Sequence, residues 1–470
     1  MQPVPDLHSL SHSEKDELIR TLHARVQALG AAIEELKGRL ALNSSNSGKP
    51  PSSNGFKKIK KSRSLRGKST KKPGGQDGHE GTTLQQVAEP DAVVPHLPPS
   101  HCDCGLPLDK PNKVESRQVF NIPPIKPVVT EHQAYESCCR CGAVYRGQFP
   151  EYVTGAVQYG GSVKAAVVQF THHEMLPLAR TGKLMGSLFG LPLSDATVIA
   201  IQKAAVQHFE PVVDRIKEAL KHVPALHVDE TGMSVSTKNK WLHIAATENL
   251  TWIGAHDKRG KIAFDDLGLL GEAKGVLIHD GLPAYRQFDT ALHALCNQHH
   301  LRELLFVAED MQQGWAKDMM ALLRKACHEV NESPGNTLNP ERLAYFRLVY
   351  DLLLQGGQAT NPEHPKLKGQ RGKAKQSKAF NLLLRLKTYD EDVWRFASDP
   401  NVPFTNNIAE HAVRMNKVKQ KISGGFRTMQ GLKDFCIIRS YLATLQKQGA
   451  NIFEALVQAF RGNVLVPDFV

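Results

Sequence analysis

Between Pro224 and Cys296 the chain passes through five short apolar runs bounded by turn residues, and that spacing leaves few folds open. "PALHVDE", "KWLHIAAT" and "TWIGAHD" read as three strands, with Glu248 and Asn249 turning the chain between the last two. "KGVLIHD" and "ALHALC" supply a fourth and a fifth, separated by a helical or loop stretch around "PAYRQF". Tight connections make the first three antiparallel, and the longer ones that follow suit parallel pairing through helices. The expected product is a mixed α/β sheet in which the strands ending at Asp229 and Asp280 are neighbours.

Both of those strands end on an acid, Asp229 in "ALHVDET" and Asp280 in "GVLIHDG". A third, Glu410, stands far downstream in the helical stretch "PFTNNIAEHAVR". Three carboxylates gathered within a few Å would repel by roughly 4 kcal/mol per close pair at an effective dielectric of about 20, so a cation must fill the gap. Hard oxygen ligands favour Mg²⁺ or Mn²⁺. The chemistry that fits is phosphoryl transfer on DNA, with Asp229 bridging two ions about 3.5 to 4 Å apart and Asp280 and Glu410 holding one each.

Neighbouring acids rank lower: Glu230 alternates to the opposite face of its strand, and Asp265 and Asp266 fall in a helix or loop. Glu410 also has two purely structural readings, an Asn407–Glu410 capping box and an i,i+4 pair with Arg414. Against them, Glu410, Arg414, Lys417 and Lys421 share one helical face, an acid leading three cations suited to a DNA backbone.

The whole chain fits a polyanionic partner, because 59 Lys and Arg against 47 Asp and Glu leave a net charge of +12. A length of 470 residues implies several domains. No run approaches the roughly 18 apolar residues of a membrane span, and the polar start lacks a signal peptide's apolar centre, so a cytosolic location is expected. There the eight cysteines read as thiols or metal ligands rather than disulfides.

Residues 13–42 carry a heptad, with Ile19, Val26, Ile33 and Leu40 at one position, Leu22, Leu29 and Leu36 at the other, and a Ser13–Asp16 capping box at its start. Such a helix either pairs with a second copy as a coiled coil or packs on its own domain. Residues 43–90 form a Ser-, Gly-, Pro- and Lys-rich linker. Its cations, among them Lys57, Lys58, Lys60, Lys61, Arg63 and Arg66, form either a phosphate-binding arm or a merely solvated run.

Residues 91–150 hold Cys102 and Cys104 in "SHCDCG" and Cys138 and Cys141 in "YESCCRCG". The pattern suggests a structural zinc ribbon, with His101 or Cys139 as substitute ligands; unligated thiols are the other reading. Residues 151–222 are helical, and a helix, a turn at Gly190 and a second helix capped by Ser194 form either a helix-turn-helix or an ordinary helix pair. The catalytic domain is expected over 223–427, with a helical insertion at about 301–400 that carries the basic loop from Lys366 to Lys378. C-terminal helices follow over 428–470.

These motifs in this order resemble the DDE transposases of the insertion sequence sixty-six family: "NSSNSGKPPSS", "GGQDGHEG", the two cysteine knuckles, "HVDETG", "HDGLPAY", "CNQHHLREL" and "VPFTNNIAEHAVRMNKVKQKISGGFR". The resemblance runs nearly end to end. It departs at the first knuckle, CDC where the family often has CxxC, and at Gly48 and Asn54 in the linker.

The resemblance implies a multidomain α+β protein with a ribonuclease-H-like core, in which Asp229, Asp280 and Glu410 are the catalytic triad. Cys296 and His299 match a C-x-x-H pattern and are expected to brace that core. The implied cofactors are Mg²⁺ or Mn²⁺ and structural Zn²⁺. The implied partners are the element's terminal inverted repeats, target DNA and further copies of the chain, with room for accessory proteins of the same element, at the bacterial nucleoid. Two rival functions remain, a zinc-dependent DNA-binding regulator and a nuclease that hydrolyses without joining strands.

Overall fold

In the computed structural model, residues 11–41, 83–366 and 374–469 are described. Helix α1 (His12–Ala41) begins at a capping box, but two residues earlier than expected. The Glu14 carboxylate accepts from the Ser11 N–H at 2.8 Å, and Ser11 Oγ accepts from the Glu14 N–H at 3.3 Å. Ser11-x-x-Glu14 prevails over Ser13-x-x-Asp16 because glutamate is long enough to reach back to the N-cap. Ile19, Leu22, Val26, Leu29 and Ile33 are 50–66% exposed, so the rest of the described chain leaves this stripe uncovered.

A two-stranded hairpin, β1 (Glu136–Cys138) and β2 (Val144–Arg146), lies in the cysteine-bearing segment. Then come α2 (Gly161–Val168), a π-helical turn at Gln169–His173, α3 (Leu178–Phe189) and α4 (Asp195–Leu220). Gly190 ends α3 at φ +67°, a conformation that favours glycine, and Ser194 Oγ caps α4 by accepting from the Thr197 N–H.

The central sheet is built from β3 (Ala225–Val235), β4 (Lys238–Ala246), β5 (Thr251–His256), then α5 (Lys261–Leu267), β6 (Val276–His279) and β7 (Leu292–Leu295). Its strand order is β5-β4-β3-β6-β7. The pairs β3/β4 and β4/β5 are antiparallel, and β3/β6 and β6/β7 are parallel, which is the mixed sheet expected from the strand spacing. All of β6 is buried, as a parallel strand covered on both faces must be.

Alternation along β6 sorts its side chains between two cores. Leu277 faces the helices α2, α4 and α5, whereas Val276 and Ile278 face a helical layer. That layer comprises α6 (Asn297–Glu309), α7 (Gly314–Glu332), α8 (Pro340–Thr360), α9 (Lys378–Thr388) and α10 (Asp390–Ser398). It centres on the buried Trp394, Tyr350 and Phe346. The chain then returns to the sheet through α11 (Asn407–Ser423), α12 (Met429–Lys447) and α13 (Ile452–Ala459).

Helix α12 closes the free edge of the sheet. Ser440 Oγ accepts from the Ile253 N–H at 2.9 Å, and Thr444 Oγ1 accepts from the Thr251 N–H at 3.0 Å. Side-chain hydroxyls thus take the place of a sixth strand over Thr251–Ile253, so this part of β5 offers no open ladder to another chain. Thr444→Val keeps the shape but strands the buried Thr251 N–H. The expected loss is about 1–3 kcal/mol in chemical denaturation with an unchanged far-ultraviolet spectrum, and unchanged stability would remove this role.

Candidate active site

Parallel pairing fixes the first two acids relative to each other. His227 pairs with Ile278, and the same register carried two residues further sets Asp229 level with Asp280. Both side chains fall on the face that packs against α11, while Glu230 turns to the other. Asp229 accepts from the N–H of Glu230 at 2.8 Å. Asp280 accepts from the N–H of Leu282 at 3.0 Å, across a turn in which Gly281 adopts φ +97°. A side chain at Gly281 would strain the turn that aims Asp280.

Glu410 stands in the first turn of α11, and Asn406 sets where that helix begins. The Asn406 side chain is not spent on a helix cap: Oδ1 accepts from His227 Nδ1 at 2.8 Å, and Nδ2 donates to the Val228 carbonyl at 2.8 Å. Its backbone N–H donates to Cys296 Sγ at 3.2 Å. One buried residue therefore ties β3, the start of α6 and the start of α11 together. The expected Asn407–Glu410 capping box does not form, because Asn407 is already the first helical residue. Nor does Glu410 pair with Arg414 among the described residues. Its Oε1 lies 3.7 Å from Arg302 Nη2, 3.9 Å from His299 Nδ1 and 4.0 Å from Cys296 Sγ, all on α6 or at its cap.

The acids share an electrostatic field. Burial first, then the charges on Glu230, Asp280 and Glu410, hold the Asp229 carboxyl well above the usual range. Burial and the Asp280 charge raise Glu230 too, against Tyr285 and Arg259, which donate to it at 2.6 Å and at 2.5 and 2.8 Å. Arg259 lies over the Trp241 ring, 5.0 Å from its centroid. Glu230 thus belongs to a buried support behind Asp229. Burial brings His227 down to about 4, and burial with the Arg302 charge does the same for His299, so both imidazoles are neutral. Burial pushes the Cys296 thiol up to about 11.

Among the described residues, one set of three His, Cys, Asp or Glu side chains brings its ligand atoms within 4.8 Å of one another: Cys296, His299 and Glu410. Asp229, Asp280 and Glu410 do not close to that spacing. Nor do the cysteines of the two knuckles. Cys102 and Cys104 interact on one, and Cys139 rather than Cys138 neighbours Cys141 on the other. All five are exposed.

Of the cations behind Glu410, Arg414 and Lys421 are exposed. Lys417 is half-buried and donates to the Gly232 carbonyl on β3, so it ties α11 to the sheet instead of standing free for phosphate. Lys57, Lys58, Lys60, Lys61, Arg63 and Arg66 lie outside the described residues. The reading of the sequence missed Asn406, Arg302 and the Glu230–Tyr285–Arg259 support. Only the asparagine pair at the start of α11 hinted at any of them.

The mixed sheet sets two aspartates level and turns them towards a glutamate-bearing helix, and the class of protein is given by the family to which the sequence is similar, one of DNA-processing enzymes. The model of the Transposase IS66 family matches residues 156–434. The chain belongs to that family, and a transposase acts on DNA. A second match, to a family of unknown function (DUF6444), covers residues 2–85. No curated protein matches the chain. No helix among the described residues is long and apolar enough to cross a membrane.

The raised Asp229 carboxyl has a consequence for stability. The folded state holds that proton more tightly than the unfolded chain, so its contribution is full below the ordinary value of about 4 and is lost as pH climbs through the higher folded value. Thermal unfolding of chelator-treated protein should therefore show a fall in stability across that window that is shallower in Asp229→Asn; identical slopes would contradict the coupling.

Proposed function

We propose that this transposase cleaves the ends of its mobile element and joins them to target DNA, with Asp229, Asp280 and Glu410 as the acids that hold Mg²⁺ or Mn²⁺. The observation that carries the reading is the tension at Asp229, a partly exposed carboxyl held high by its surroundings and by the charges of Glu230, Asp280 and, more weakly, Glu410. An all-oxygen donor set under mutual repulsion suits a hard divalent cation, which relieves that repulsion. Bound there, such a cation would activate water or a 3′-hydroxyl and stabilise the leaving oxygen of a phosphodiester. The strand order, with three antiparallel strands followed by two parallel ones, supports a ribonuclease-H-like core.

The chain's own residues prepare this chemistry. Asp229 surrenders its proton when it becomes a ligand, so cation binding and proton release are linked there. Asn406 fixes the distance between β3 and α11, and Arg302 offers Glu410 a positive neighbour on its α6 side. Arg414 and Lys421 take the DNA backbone, joined by the basic arm from Lys57 to Arg66. Terminal inverted repeats are recognised by the α3–α4 pair, beside a structural zinc ribbon at Cys102, Cys104, Cys138 and Cys141, with His101 or Cys139 as alternative ligands. The exposed stripe of α1 brings two copies together, as homodimer or larger assembly, so that two ends can be held at once. Accessory proteins of the same element would complete that assembly.

Strand transfer with labelled, pre-cut element ends and Mg²⁺ tests the reading. Wild type should form joined product, and Asp229→Ala, Asp280→Ala and Glu410→Ala should each lose about 10³-fold or more, as the loss of several kcal/mol of charge stabilisation implies. Hydrolysis without joining would favour a nuclease, and full activity in the variants would overturn the assignment.

A further inference from the structure

We infer that Cys296, His299 and Glu410 form a second cation site, one for a borderline-soft divalent ion of the zinc class. Their ligand atoms lie within 4.8 Å of one another, with Cys296 Sγ 4.0 Å and His299 Nδ1 3.9 Å from Glu410 Oε1. A thiol, an imidazole and a carboxylate form a mixed S, N, O set that discriminates against Mg²⁺ and suits zinc, which takes four ligands and would leave one position for water.

Two further features point to a ligand. The buried His299 Nδ1 has no hydrogen-bond partner, although it is aimed at the space between Cys296 and Glu410. Cys296 stands at the N-cap of α6 and accepts the Asn406 N–H at 3.2 Å, so a backbone donor already fixes the sulfur that would meet the ion. Zinc binding replaces the Cys296 proton by the metal and releases that proton to solvent. It also selects the His299 tautomer protonated at Nε2, so Arg302, 3.4 Å from Nε2, would give up that contact and keep its place beside Glu410.

The consequence for regulation rests on the proposed role of Glu410. A zinc-class ion here engages the third acid from its α6 side and withdraws it from the aspartates, so the ion inhibits strand cleavage.

The binding test needs neither DNA nor activity. Full-length protein stripped of metal by a chelator that is then removed is titrated with Co²⁺ under exclusion of air, and the near-ultraviolet absorption of thiolate–cobalt bonds is followed. Wild type should take one equivalent more, with more of that absorption, than Cys296→Ser. His299→Gln should weaken that equivalent by more than about tenfold, with far-ultraviolet spectra showing both variants folded. Equal stoichiometry and absorption in wild type and Cys296→Ser, or equal Co²⁺ affinity in wild type and His299→Gln, would overturn the site. Strand transfer that fails while cobalt binds as described would count against the proposed function alone.

Discussion

Asn406 is the joint on which the arrangement of the acids depends. Its side chain holds His227 and the Val228 carbonyl, its N–H meets Cys296, and the helix carrying Glu410 starts at the next residue. The two residues just before Asp229 are thereby coupled to the helix of Glu410 across a stretch of chain that includes five helices. Because the amide is buried, leaving its partners unpaired would cost more than the bonds themselves contribute, so the joint is both specific and costly to break. The parallel register between β3 and β6 does the same for the two aspartates with backbone bonds alone.

The site is held together against its own electrostatics. Burial and like charge raise Asp229, and burial raises Glu230, so the acids destabilise the fold that gathers them. Stability comes from elsewhere: from the apolar layers on both faces of the sheet, from the aromatic cluster around Trp394 and from the hydroxyls of α12 at the β5 edge. Arg259 and Tyr285 relieve part of the strain by neutralising or donating to Glu230 from behind. Such a division, with a rigid scaffold and a strained cluster of acids, is compatible with the cation site proposed for them.

Much of the central sheet was legible because period-two alternation and turn residues are local signals. Strands around Asp229 and Asp280, their adjacency and the opposite orientation of Glu230 all follow from that pattern. Gly190 and Ser194 marked the break between α3 and α4 for the same reason. What stayed hidden was long-range. An asparagine ahead of a helix reads as a cap, and nothing in "TNN" says that Asn406 reaches β3 instead. Lys417 reads as a free cation on a basic face, yet it serves the Gly232 carbonyl. One local signal was also misjudged: the reach of glutamate over aspartate puts the capping box of α1 at Ser11–Glu14 instead of Ser13–Asp16.

The central claim is that three distant acids form one divalent-cation site. Crystals of the full chain soaked in Mn²⁺, with the ion located by its anomalous scattering, test it most directly. Manganese is predicted at a position coordinated by Asp229 and Asp280, with Glu410 at the same site. Manganese peaks that avoid both aspartates at saturating concentration would contradict a shared site.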